Sequence, residues 1–255
     1  MAVLVLLSIW AVGYELSATV IHGGIKTLPY SGIAPDLPFA IAGLLLIARG
    51  LRGQRAWALM GLGALCWAAG DVYWSEALAT SSSPPVPSWA DAGYLMFCPL
   101  TFAGIFALIR RRFIAAPKTL LADSLAASLA VGGLSAAVVI EPVLRNAHGG
   151  AIAVATNLAY PLVDMLLLAL IVSAIALSNW RLQRTWVLLG AAVISFWIAD
   201  SLYLITDATG TYQLGSWFNP LWYASPIIAA WAAWLPRRVA EVSARGKPSG
   251  ARGIV

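Results

Sequence analysis

Charge is what this sequence has least of. Of its 255 residues 11% are charged and 60% hydrophobic, with a mean hydropathy of +0.81. A soluble domain carries about 25% charged residues, and one this apolar would show water large exposed patches. A water-soluble globular fold is therefore excluded. Cysteine and histidine are scarce too, at two each. Cys66 and Cys98 fall midway along neighbouring apolar runs without CxxC or Cys/His spacing, which leaves them as small packing residues. Gly-x-Ser-x-Gly, Walker and dinucleotide fingerprints are missing, and no nucleophile–base arrangement stands out. No enzymatic activity and no cofactor are expected of these residues.

What the chain has is long apolar runs, each able to cross a hydrocarbon core of about 30 Å. Eight can be read, at 2–21, 34–50, 55–78, 88–109, 118–140, 153–178, 184–206 and 215–235. Lipid cannot satisfy the backbone of an open strand, so each must be helical. The expected fold class is an all-α integral membrane protein with eight transmembrane helices. The first run has no basic n-region and no small-x-small cleavage site, so it reads as a span and not a signal peptide.

Basic residues set the orientation. Fourteen of the sixteen fall on one side of the eight spans: Arg49, Arg52 and Arg55; Arg110, Arg111, Arg112 and Lys118; Arg181 and Arg184; and five after the eighth span. Only Lys26 and Arg145 fall on the other. The positive-inside rule then makes both termini cytoplasmic, in a cell inner (plasma) membrane. Most acidic residues map to the opposite half, Asp123 and Glu241 excepted. The sequence pI of about 9.5 reflects a basic rim over anionic lipid. The expected partner is the lipid bilayer, not nucleic acid.

The chain also repeats itself. "GQRAWALMGLGALCWAAGDVYW" at 53–74 matches "LQRTWVLLGAAVISFWIADSLY" at 182–203, aligning Gly61 with Gly190 and Asp71 with Asp200. The stretch "SWADAGYL" from Ser88 pairs with "SWFNPLWY" from Ser216, so that Asp91 meets Asn219; "ELSATVIHGG" from Glu15 pairs with "EPVLRNAHGG" from Glu141. Each unit holds an even number of spans, so the repeats are parallel, related by an axis along the membrane normal. The expected units are 1–112 and 113–238, followed by a basic tail over 239–255. The Ala/Gly/Ser-rich fifth span, able to pack closely, is expected at the centre.

Carboxylates inside spans normally face a cavity or a partner. Asp71 and Asp200, with Tyr73, Trp74 and Tyr203 beside them, and Asp91 and Asn219, each behind a Ser-Trp pair ending in Trp89 or Trp217, are the candidate lining of an outward-opening ligand cleft. The alternative is interhelical packing by the acids and an interfacial belt of Trp and Tyr; the belt also covers Trp222 and, at the basic end, Trp57, Trp180, Trp186, Trp231 and Trp234. Glu15, His22, Glu141, His148 and Asp164 form a secondary polar set. Seven residues separate each Glu from its His, about 10 Å along a helix, so a shared metal ion is not expected, and the His-Gly-Gly elements read as helix caps. Pro99 and Pro226 hint at interrupted helices.

The run "GDVYW", then "PSWADAGYLMFCPLTFAGIFAL", a basic turn, "LLADSL" and "YPLVD" at 160–164 resembles the multi-pass N-terminal membrane region of bacterial GGDEF/EAL cyclic-di-GMP signalling proteins. The resemblance covers most of residues 35–238. It implies a sensory input module that binds a small molecule from the extracytoplasmic side and signals to a cytoplasmic output domain, a diguanylate cyclase or phosphodiesterase. No GGDEF or EAL stretch is present here, so that domain is expected in cis or in trans, and a homodimer is compatible with the reading. The competing expectation is a small repeat-built transporter using Asp71 and Asp200.

Overall fold

The computed structural model describes residues 1–20, 37–78, 81, 84–145, 150–212 and 216–235. Among them are eight α-helices and no strand: α1 Ala2–Val20, α2 Leu37–Leu51, α3 Arg55–Tyr73, α4 Trp89–Ala115, α5 Lys118–Arg145, α6 Ala151–Ala176, α7 Arg184–Ala208 and α8 Pro220–Trp234. Three stretches, Trp89–Arg110, Ala151–Ala176 and Arg184–Asp207, are long and apolar enough to cross a membrane. Ala2–Gly13 and Leu37–Leu51 are apolar but shorter.

Helix ends follow local chemistry. Gly53, at φ 105, closes α2 in a left-handed turn that glycine adopts without a Cβ penalty. Asn179 and Trp180, at φ 52 and 57, make the corresponding turn between α6 and α7. α3 stops at Tyr73, short of the expected 78, and the chain continues as a π turn over Trp74–Leu78. Ser216–Asn219 is a turn, so α8 begins only at Pro220, where a missing N–H costs nothing. Pro99, Pro161 and Pro226 all lie inside continuous helices; each removes one backbone donor without ending the helix.

Helices α2, α3 and α4 pack in succession, and so do α6, α7 and α8. The two triplets join where α2 meets α8 and where α4 meets α6. Phe39, Trp67, Phe97 and Phe196 fill the space between the triplets; Phe39 stacks on Trp67 at 5.3 Å, and Trp67 and Phe97 meet Phe196 at 4.7 and 4.8 Å. Within the first triplet glycines let backbones touch: a Cβ on Gly61 would stand 2.5 Å from the Gly43 carbonyl, and one on Gly93 2.5 Å from the Cys66 carbonyl.

Two expectations need correction. The small-residue helix α5 is not central; it lies at the edge against α6 and α7, with Leu125, Leu129 and Leu134 exposed. Its Ser128 ties it to α6, Oγ donating to the Ala169 carbonyl at 2.9 Å and standing 2.9 Å from Ser173 Oγ. Trp57 and Trp186 are core residues and not belt, both buried. Trp231 and Trp234 are partly buried as well, their indoles donating to Ser8 Oγ at 3.2 Å and to the Leu45 carbonyl at 3.1 Å. Of the five tryptophans assigned to the basic-end belt, Trp180 alone is exposed. An indole read from sequence as amphipathic surface goes inside when its N–H finds an acceptor.

Candidate functional site

The site grows from the first turn of α4. Asp91 Oδ2 accepts hydrogen bonds from the Ser88 backbone N–H at 2.6 Å and from Ser88 Oγ at 2.9 Å, which satisfies donors at the helix start. Its other oxygen faces across the bundle. Tyr160 of α6 donates its hydroxyl to Asp91 Oδ1 at 2.6 Å. One carboxylate thus caps α4 and ties it to α6.

One turn further along α6 stands Asp164, on the same face as Tyr160 by its four-residue spacing. Its carboxyl group is in hydrogen-bonding contact with that of Asp200 on α7. Both are nine-tenths buried or more, at 2% and 4% exposure, and Oδ2 of each lacks a donor. Asp200 Oδ1 accepts the indole N–H of Trp222 on α8 at 2.6 Å. Cys98 of α4, also buried, lies within electrostatic range of both acids. Two ionised groups about 4 Å apart at an effective dielectric near 20 repel by about 4 kcal/mol, before any desolvation cost. A structural pair of bare charges is a poor account of this arrangement.

Toward the end of the bundle where α7 stops, aromatic rings close over the acids. Tyr203 meets Tyr212 at 4.9 Å and Trp222 at 5.6 Å, and Phe218 meets Trp222 at 6.2 Å. Asn219 Nδ2 makes a long contact of 3.5 Å to the Tyr212 hydroxyl, while its Oδ1 is buried without a donor. Tyr212 sits in the loop beyond α7. Burial pushes its phenol above the usual range; Asn219 opposes that shift, and Asp207 and Asp71 add to it.

On the other side of the acids the interior is mostly apolar. A cavity of about 20 Å³ lies between the triplets, lined among others by Phe97, Thr101, Val193, Phe196 and Pro226. That volume suits about one water, and Thr101 Oγ1 is buried there without a partner. Among the described residues no three His, Cys, Asp or Glu side chains converge to hold a metal ion.

Of the residues singled out from sequence, Asp91, Asp200, Tyr203 and Asn219 come together. Asp164, grouped beforehand with the Glu/His set, joins them and is the direct neighbour of Asp200. Asp71 is half-buried at the end of α3, and its charge acts on Tyr212. Trp74 is half-buried in the π turn and Tyr73 is exposed. Trp89 and Trp217, at 77% and 70% exposure, point away from any cleft and suit the interfacial belt. Glu15 and Glu141 fall on α1 and α5, but their side chains, with His22 and His148, lie outside the described residues. Three contributors were missed or misread. Tyr160 was visible only as part of "YPLVD", Trp222 was read as belt, and Tyr212 carried no signal.

The chain matches no family model, no curated protein and no solved structure.

Proposed function

We propose that this chain is a membrane-embedded input module of eight spans, arranged as two parallel repeats over 1–112 and 113–238. It receives a small ligand at its acidic, extracytoplasmic end and biases an output domain at its basic, cytoplasmic end. The observation that carries the reading is where the polar cluster lies. Asp91 belongs to the first unit, and Tyr160, Asp164, Asp200 and Trp222 to the second, so the cluster spans the α4–α6 contact. A change of charge or occupancy there acts directly on how the two units meet.

Packing supports the repeat. Rotating α2–α4 onto α6–α8 exchanges the α2–α8 contact with the α4–α6 contact, as a self-complementary two-fold interface requires, whereas α5 packs chiefly on α6 and α1 chiefly on α8. Trp222 reaches Asp200 in the second unit; its counterpart Tyr94 lies against Gly70, next to Asp71, in the first. The resemblance to cyclic-di-GMP signalling proteins supports a diguanylate cyclase or phosphodiesterase as the output, in cis or in trans.

A second reading, a small transporter, is favoured by one observation. Asp164 and Asp200 are buried in two helices long enough to cross a bilayer, where pumps and transporters keep their acids. One pair of measurements separates the two. The chain fused to a diguanylate cyclase should change cyclase output with outside solute or pH, and Asp91→Asn should abolish that change. Proton or solute flux in proteoliposomes, with output constant, would establish the transporter instead.

A further inference from the structure

We propose that Asp164 and Asp200 hold one proton between them, and that this shared proton is the ligand of the buried half of the cluster. The proposal rests on the reading of the cluster as a receiving site, and names what is received. The carboxyl groups touch across the α6–α7 contact, both nine-tenths buried or more, and each keeps one oxygen without a donor. Trp222 occupies Asp200 Oδ1, leaving Oδ2 as the oxygen free to meet Asp164.

An ionised carboxylate only accepts hydrogen bonds. Two ionised partners therefore orphan both Oδ2 atoms and put like charges in contact where little water reaches. A single proton, taken from the aqueous phase, cures both faults. The protonated acid donates to the ionised one, and the pair carries one negative charge in place of two. Among the described residues, the titratable groups facing the pair are Asp91 and Cys98 from α4, Tyr160 from α6 and Tyr203 from α7, with Asp207 and Tyr212 beyond Tyr203. None of these groups is cationic, so none of them is a counter-ion. α8 contributes the neutral indole of Trp222 and the amide of Asn219. With the proton in place α6 and α7 are clamped; without it, like charges press them apart.

The test is infrared difference spectroscopy on the full chain in lipid nanodiscs, titrated in H2O and in D2O. The wild type should show the carbonyl stretch of a protonated carboxylic acid at neutral pH, shifted by deuterium. The band should vanish in Asp164→Asn and in Asp200→Asn. It should survive in Asp123→Asn, whose side chain is exposed on α5. Should a single variant fail to fold, carbodiimide modification of the wild type decides, because it reacts with protonated carboxyls in apolar surroundings. Mass spectrometry should then find the adduct on Asp164 or Asp200. A wild type with no such band, or with adducts on neither residue, overturns the proposal. If the band is present while the cyclase fusion ignores both pH and solute, the proton site stands and the input reading fails. If it is absent while the fusion responds, the input reading stands and the shared proton does not.

Discussion

The indole N–H of Trp222 donates to Asp200 Oδ1 at 2.6 Å. That bond binds α8 to α7 and fixes the carboxyl that touches Asp164. Trp222→Phe keeps one aromatic ring but removes the donor together with part of the ring that packs on Tyr203 and Phe218. It should cost about 1–3 kcal/mol, the range for stranding a buried acceptor. Thermal unfolding in detergent measures this, and an unchanged Tm would show that the bond does not hold in solution.

Asp91 has two tasks, and they can be separated. Tyr160→Phe removes only the α4–α6 bond, and an intramembrane hydrogen bond is worth about 0.6 kcal/mol on average. Asp91→Ala removes the bond and also the cap on α4, itself worth about 0.5–2 kcal/mol. The aspartate variant should therefore be the less stable of the two. In a double-mutant cycle, Tyr160→Phe should cost nothing further once Asp91 is gone.

The repeat makes a contrasting pair of Gly61 and Gly190. A Cβ on Gly61 would stand 2.5 Å from the Gly43 carbonyl, but one on Gly190 would meet only Ile171 Cγ2 at 3.4 Å. Gly61→Ala should therefore disrupt the α2–α3 contact and lower the yield of folded protein. Gly190→Ala should be neutral or should stabilise, since alanine is favoured over glycine within a helix by roughly 0.5–1 kcal/mol. Equal effects at the two positions would contradict this packing.

Orientation is open to a labelling test. Thr211 and Phe113 are both exposed, at opposite ends of the bundle. In intact cells Thr211→Cys should react with an impermeant maleimide, and Phe113→Cys should react only after permeabilisation. The reverse pattern would place the acidic cluster on the cytoplasmic side.

Hydrophobic composition and run length, which need no partner to be read, located all eight helices to within a few residues. The largest difference in length is at α8, expected over 215–235 and found over Pro220–Trp234, while the last turn of α3 relaxes into a π turn over Trp74–Leu78. Internal repetition also brought Asp91, Asp200 and Asn219 into view, because equivalent positions advertise one another. It did not do this for Asp164, which lies outside the matched stretches, nor for Tyr160, whose role depends on a helix 69 residues away in sequence.

The sequence by itself determined that this chain is apolar, helical, and acidic at one end and basic at the other, because those properties sum over residues. Tertiary structure alone decided which acid meets which. The repeat makes Asp200 the equivalent of Asp71, but Asp200 stands against Asp164. Two-fold equivalence fixes where residues lie relative to an axis, but contact depends on which helices cross. The α6–α7 contact carries Asp164 to Asp200, while Asp71 stands at the end of α3, on a helix that is not part of that contact. The same holds for Trp57 and Trp186. Their chemistry allows surface or core, and a neighbouring helix chose the core.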